Sequence, residues 1–215
     1  MKLVISMAVC ALGLSSLIAG DSLIEKAKKN GLEAIPTDKA VLMKMIDDKK
    51  DPITKEKVEL GKKLFFDPRM SRSGIISCNT CHNLALGGAD GIPAAIGHGW
   101  TANPHNLNSP TVYNSVFFKA QFWDGRSPHL ADQAQGPVQA GPEMAAPPSL
   151  VEERINSIPE YVTEFKKVYG NDVKVNFEKM TVEQPSTAKI ISNYVTNFFI
   201  VVLYATLVII LATFV

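Results

Sequence analysis

The sequence predicts a mostly α-helical fold with long loops rich in glycine and proline. Between residues 22 and 66, apolar side chains recur at three- and four-residue steps among lysines and acids, which is the period of a helix face. No segment reads as a strand of a sheet. Glycines and prolines are scattered through residues 84–111, so we expect a long loop there, and a loop of that length in a compact domain is usually functional or disordered.

Prolines and capping residues divide the first helical stretch. Thr37 or Asp38, and later Thr54, can begin helices by capping, whereas Pro36 and Pro52 interrupt them. The many lysines of this stretch are either a solvated helix face or a docking patch for an acidic redox partner.

Residues 78–82 read C-N-T-C-H, and a C-x-x-C-H box is typical of covalent c-type haem attachment. On a short helix, Cys78 and Cys81 share one face, where both thiols can form thioethers with the porphyrin vinyl groups. His82 follows at the haem edge, where its imidazole can ligate the iron. A zinc site would need about two more ligands, and the only other cysteine is Cys10. A thioredoxin-like dithiol would need a βαβ setting, which the sequence does not provide.

A second iron ligand would have to come from elsewhere in the chain. The candidates are the methionines and histidines Met70, His98, His105, His129 and Met144. His98 is the strongest of them, because the glycines on both sides let the backbone approach a flat ligand and let the loop move. An isolated loop histidine is otherwise exposed or hydrogen-bonded.

Beyond the long loop the sequence again predicts helices. They are expected over 112–118, from 127 to the Gly-Pro pair at 136–137, and after two S-x-x-E capping boxes at 149–152 and 157–160. Gly170 is suited to the C-terminal end of the last helix. A second loop, over 139–148, contains Glu143.

The N-terminal residues 1–20 are typical of a secretory signal peptide, with a lysine, an apolar run and a smaller, more polar exit. Cleavage after Ala19 or Gly20 is expected, with an uncleaved anchor as the alternative. Export agrees with c-type haem attachment, so we expect a periplasmic protein. After the haem has taken two cysteines only Cys10 remains, which excludes a structural disulfide, and the formal net charge of +1 gives no indication of a nucleic-acid partner.

Six motifs occur in a fixed order along the chain. They are L-G-K-K-L-F-F-D-P at 60–68, C-N-T-C-H at 78–82, L-G-G-A-D-G at 86–91, G-H-G-W at 97–100, F-W-D-G-R at 122–126 and G-P-V at 136–138. Together they resemble the N-terminal haem domain of bacterial dihaem cytochrome c peroxidases, a group that includes the MauG-like enzymes. The resemblance covers roughly residues 38–180. It implies a cytochrome c-like haem domain, which we assign to residues 21–185.

The resemblance assigns roles to the residues around the box. Cys78 and Cys81 would bind the peroxidatic haem, and His82 would be its proximal ligand. His98 would be the distal ligand of the resting oxidised form, released when a second haem is reduced. The glycine-rich loop that carries it would then rearrange, with Gly97 and Gly99 as hinges.

Four further residues receive roles from the resemblance. Glu143 resembles the distal acid/base, with Gln133 as its polar neighbour, although by itself it is one of many loop acids. Trp123 resembles the tryptophan between the two haems that helps electron transfer; without the resemblance it would be interpreted as a core aromatic. Asn108 resembles a ligand of the interdomain calcium, whose other protein ligands come from the second domain.

The activity implied by the resemblance is reduction of hydrogen peroxide to water, with electrons from a small cytochrome c or cupredoxin. Members of this group are often homodimers. Two other functions stay open: a monohaem electron-transfer or haem-binding protein, and an inert fragment with an exposed apolar surface around Trp123.

The resemblance ends near residue 180, before a second haem box would be expected. From residue 190 onward the sequence has no charge, and residues 198–215 form an almost continuous apolar run. This helix-like tail is either a transmembrane segment that tethers the haem domain to the membrane, or an out-of-frame ending of a longer gene. No Lys or Arg follows the run, which goes against the positive-inside tendency of membrane anchors.

Overall fold

The computed structural model describes residues 23–47, 49 and 51–181. The predicted signal peptide at 1–20 and the predicted apolar tail at 190–215 lie outside these residues. Within the described ranges, no helix is both long and apolar enough to cross a bilayer.

The chain divides into two compact units, Met1–Met45 and Ile46–Val215. The described part of the first unit contains a short helix, α1, at residues 23–29, and most of α2, Lys39–Ile46. Asp38 begins α2 as predicted, because its Oδ1 accepts a hydrogen bond from the Val41 N–H at 2.9 Å.

The second unit is built from short helices and loops. Its helices are α3 (Lys55–Phe66), α4 (Cys78–Cys81), α5 (Leu130–Gln139), α6 (Pro148–Asn156), α7 (Pro159–Tyr169) and α8 (residues 177–181), with 3₁₀ turns at Pro68–Met70, Leu84–Leu86 and Ser115–Phe117. The described residues contain no strand; isolated bridges pair Ile96 with Ala102 and Gln121 with Ser127. The prediction of a mostly α-helical fold is therefore confirmed.

Three of these helices form the core of the second unit through apolar pairs at i, i+4 spacing, which places each pair on one helix face. The pairs are Leu60 and Leu64 of α3, Val151 and Ile155 of α6, and Tyr161 and Phe165 of α7. Burying a side chain of this kind contributes about 1.5–3 kcal/mol. Helix α4 contacts α3, and Cys78 packs against this core. The first residue of the C-x-x-C-H box is therefore in contact with the hydrophobic core of the unit.

Two predicted helices differ from the structure. The helix expected over 112–118 is reduced to the single turn Ser115–Phe117, because Asn114 adopts a left-handed conformation with φ of +58°. Helix α5 does not close at the Gly-Pro pair but continues to Gln139. Pro137 lacks the N–H that would bond to the Gln133 carbonyl. The loss of this one hydrogen bond is tolerated because Pro137 lies near the end of the helix.

Both helices predicted from the two capping boxes are present, but neither begins at the serine of its box. Helix α6 begins at Pro148 and α7 at Pro159, and in each a proline at the start of the helix takes the position where its missing N–H costs nothing. Ser157 ends α6 instead of beginning α7, with its hydroxyl donating to the Arg154 carbonyl at 2.7 Å. Gly170 ends α7, as predicted, with φ of +93°.

Candidate haem site

The C-x-x-C-H box forms one helical turn, as the sequence predicts. The Ser77 N–H donates to Oγ1 of Thr80 at 2.9 Å, and the His82 N–H donates to the Cys78 carbonyl at 2.9 Å. Both cysteines are half-buried and present as thiols, and Sγ of Cys81 lies 3.8 Å from the Ile96 carbonyl oxygen. The turn therefore brings the two thiols into one region.

The surroundings of the two thiols disfavour thiolate chemistry. Burial raises the pKa of Cys78 to about 12 and that of Cys81 to about 11, and the negative charges of Asp90 and Glu143 add to the shift at Cys81. A reactive dithiol needs the opposite, a positive environment that lowers the pKa. Among the described residues, no group of three or more His, Cys, Asp and Glu side chains could hold a metal ion.

The imidazole of His82 is anchored by a residue near the C-terminal end of the long loop, residues 84–111. Its Nδ1 lies 3.0 Å from the Pro110 carbonyl oxygen, and because a carbonyl can only accept, Nδ1 carries the hydrogen. The lone pair of Nε2 is then available to a metal, which is the usual arrangement of a ligating histidine. Burial lowers the pKa of His82, which favours the neutral imidazole.

These residues fit a covalently attached c-type haem. The two thiols lie on one turn, a neutral imidazole follows them, and a backbone carbonyl fixes its orientation. The role of Pro110 could not be predicted, because a backbone acceptor leaves no signal in the residue type. Pro110 precedes the helix predicted over 112–118, of which the structure contains only the turn Ser115–Phe117.

The loops that carry His98 and Glu143 meet through their backbones. The His98 N–H donates to the Glu143 carbonyl at 2.7 Å. At Gly97, a Cβ atom would lie 1.9 Å from the Pro142 carbonyl oxygen, so only glycine permits this approach. The structure thus places the backbones of His98 and Glu143 in contact, whereas the sequence relates these two residues only through the family resemblance.

Glu143 is half-buried and within electrostatic reach of the box. Burial raises the pKa of its carboxyl group, while the positive charges of Arg126 and His105 act in the opposite direction. Its negative charge in turn acts on the Cys81 thiol. A carboxyl group in this environment is suited to giving and taking a proton.

The other candidate iron ligands have structural surroundings. Met70 and Met144 are buried in the core cluster of the second unit. His129 begins α5, with its Nδ1 accepting a hydrogen bond from the Asp132 N–H at 3.2 Å. His105 is exposed, and His98 is half-buried.

Trp123 and Asn108 are joined by a hydrogen bond, whereas Gln133 lies on α5. Trp123 is 65% exposed, so its interpretation as a core aromatic is wrong. Its indole N–H donates to the Asn108 carbonyl at 2.9 Å, and the Asn108 side-chain amide donates to the Ile92 carbonyl. Gln133 is half-buried on α5, the helix that leads into the Glu143 loop.

The helical fold, the C-x-x-C-H turn and the anchored imidazole together are features of c-type cytochromes. Residues 55–199 match the di-haem cytochrome c peroxidase family, and the chain belongs to this family. Membership implies a c-type haem at this site.

Two curated relatives illustrate the similarity. The chain is 55% identical over 130 residues to cytochrome c551 peroxidase of Pseudomonas aeruginosa, which covers 60% of this chain and 37% of the relative. It is 40% identical over 156 residues to the methylamine utilization protein MauG of Methylorubrum extorquens, covering 73% and 41%. The chain therefore spans about two fifths of the length of these relatives.

A solved structure supports the fold alone. A crystal structure of a MauG-like protein associated with microbial copper homeostasis superposes with a TM-score of 0.60 at 23% sequence identity, covering 65% of this chain and 41% of that protein.

Proposed function

We propose that this chain is the peroxidatic haem domain of a cytochrome c peroxidase, which reduces hydrogen peroxide to water with electrons from a reduced cytochrome c. Each peroxide takes up two electrons and two protons and yields two molecules of water. The observation that carries the proposal is the backbone hydrogen bond from the His98 N–H to the Glu143 carbonyl, which joins the two loops in a protein whose C-x-x-C-H turn has an anchored His82.

Cys78 and Cys81 would hold the haem through thioethers, and Nε2 of His82 would ligate its iron. A haem held in this way supplies the redox-active iron at which the peroxide bond is cleaved. His98 would supply a second ligand in the resting oxidised form. The position of His98 beside Gly97 and Gly99 supports a loop that can release it.

Glu143 would move the proton that peroxide cleavage requires. It takes a proton from one peroxide oxygen and returns it to the other, so that the second oxygen leaves as water. The burial that raises the pKa of Glu143 supports this role. Gln133 would be its polar neighbour, and the exposed indole of Trp123 would help electrons enter the site.

The family and the sequence support a proposal for the wider setting of the domain. We propose a small cytochrome c or cupredoxin as donor, a second haem domain as relay, a homodimeric assembly, and a calcium ion bound in part by Asn108. The domain, residues 21–185, would act in the periplasm after removal of residues 1–20. Any contact with the membrane would be made through the run 198–215.

Visible spectra of the haem-loaded full chain test this function directly. We expect a high-spin reduced form that reacts with added hydrogen peroxide, and a Glu143→Gln variant that reacts about 10²- to 10⁴-fold more slowly. Glu153→Gln, at an exposed position of α6, is the matched control and should react normally. Low-spin bands in both oxidation states, unchanged by peroxide, would instead indicate an electron carrier.

A further inference from the structure

The loop that carries Glu143 is tied to the rest of the unit by Arg72. The Arg72 backbone N–H donates to the Met144 carbonyl at 2.8 Å, and its side-chain Nε donates to the Ala145 carbonyl at 2.8 Å. Both acceptors follow Glu143 directly in the sequence. A guanidinium that donates to a backbone carbonyl makes one of the stronger hydrogen bonds in a protein.

The loop needs such a hold because its backbone conformation is unfavourable. Ala145 has φ of +53°, a left-handed conformation that a residue with a Cβ atom rarely adopts without support. On its other side the loop is fixed to α5, since the N–H groups of Met144 and Ala146 donate to the carbonyls of Pro137 and Val138 at 3.1 and 2.8 Å. Arg72 supplies the contacts from the opposite side.

Arg72 is itself held by α6. The guanidinium of Arg154 donates to the carbonyls of three residues in this segment, Arg69, Ser71 and Arg72. Arg154 is adjacent to Ile155, a fully buried residue of the core cluster. The contacts therefore run from the helical core through Arg154 and Arg72 to the loop of Glu143.

We propose that Arg72 is a positioning residue that fixes the backbone of Glu143 and, through the hydrogen bond between Glu143 and His98, the backbone of His98. The inference rests on the proposed function for what this positioning achieves in the reaction. The positive charges that act on Glu143 are those of Arg126 and His105, so Arg72 acts on it through backbone geometry. Arg72 is exposed, and its replacement opens no cavity in the core.

Hydrogen exchange of the haem-loaded full chain, followed by mass spectrometry, tests the proposal together with peroxide kinetics. In Arg72→Gln we expect faster exchange in peptides over 97–99 and 143–146. We also expect an approximately 10- to 100-fold slower reaction with peroxide, because small misplacements of a reacting group have effects of this size. The KM for the electron donor should not change.

Two further variants separate positioning from general destabilisation. Arg69→Gln is the matched control, because it removes an ion pair with Asp67 in the same segment and leaves both contacts to the Glu143 loop in place. It should leave both readouts unchanged. Arg72→Lys keeps the positive charge but loses the fixed Nε donor, and it should lie between the wild type and Arg72→Gln.

Three results would overturn the proposal: unchanged exchange in Arg72→Gln, faster exchange with an unchanged peroxide rate, or equal effects of Arg69→Gln and Arg72→Gln. Exchange does not depend on peroxide chemistry. A fully active Glu143→Gln variant would therefore contradict the proposed function. The peroxide rate of Arg72→Gln would then carry no information on the proposal, and the exchange data alone would decide whether Arg72 holds the loop.

Discussion

The helices of the second unit and the loop segment between residues 84 and 128 are held together in different ways. The helices interlock through apolar faces, with side chains such as Phe165 fully buried. The loop segment is stabilised by backbone hydrogen bonds and by short polar side chains. Its large side chains, such as Phe118 and Trp123, are exposed. The C-x-x-C-H turn packs against the helical region through Cys78, whereas His98 lies in the loop segment. We therefore expect core substitutions to change stability, and loop substitutions to change the site.

The largest effect on stability is expected at Phe165. The side chain is 0% exposed, whereas Phe118 in the loop segment is 45% exposed. Phe165→Ala should lower the free energy of unfolding by about 3–5 kcal/mol, because it removes buried area and leaves a cavity. Phe118→Ala should change it by less than about 0.5 kcal/mol, as surface substitutions usually do. Denaturant unfolding of both variants measures the difference, and similar losses would contradict the distinction between the regions.

The next largest effect is expected at Gly97, where the two loops meet. Gly97→Ala forces a Cβ atom against the Pro142 carbonyl, and we expect a loss of about 3 kcal/mol in stability, typical of a severe steric conflict. The loops must separate to relieve it, so peroxide reduction should fall as well. Gly99→Ala is the control for stability alone, because the nearest atom to its Cβ would be Oγ1 of Thr101 at 3.9 Å. Equal losses of stability in the two alanine variants would contradict the steric conflict expected at Gly97.

The sequence predicted most of the helical region, because its signals are local. The spacing of Leu60 and Leu64, the capping residue Thr54 and the terminal Gly170 each act within a few residues of the helix that they define. Prediction was wrong where a local signal competed with the rest of the chain. Pro137 is read as a helix end, yet α5 passes through it, since the loop that follows folds back and satisfies the last carbonyls of the helix.

The candidate site could be predicted only in part, for the same reason. Cys78, Cys81 and His82 lie in one continuous motif whose spacing carries the chemistry. The roles of Pro110 and Arg72 depend on contacts with residues 28 and 73 positions away, respectively, through backbone carbonyls that are the same in every residue. Periodicity and residue type cannot reveal such contacts. His98 and Glu143 were connected by a family resemblance, and the structure adds the hydrogen bond that joins them.

A substitution at the end of α3 can test whether the stability of the helical region also depends on charge. Asp67 is buried, which raises its pKa. Hydrogen bonds from the Arg69 side chain and backbone and from the Tyr161 hydroxyl outweigh this effect, and the pKa is lowered below its ordinary value of 3.8. Asp67→Asn should cost about 2 kcal/mol at pH 7, the range for hydrogen bonds to a charged group.

The pH dependence of this loss follows from the direction of the shift. A carboxyl group with a lowered pKa in the folded state stabilises the protein above its unfolded pKa, and it loses this contribution as the pH falls through the folded value. The difference between wild type and Asp67→Asn should therefore shrink below about pH 4. Urea unfolding at pH 7 and pH 3 measures it. An equal difference at both pH values would show that the carboxylate charge does not contribute.

The smallest effect is expected at Thr54, at the other end of α3. Its hydroxyl oxygen accepts a hydrogen bond from the Lys57 N–H at 3.2 Å. Thr54→Ala should lower the melting temperature through a loss of about 1 kcal/mol, while Thr54→Ser keeps the cap and should be nearly neutral. Because this cap lies in the helical region, neither variant should change the rate of the reaction with peroxide. A slower reaction in Thr54→Ala would mean that the start of α3 influences the site, and that the two regions are less independent than their packing indicates.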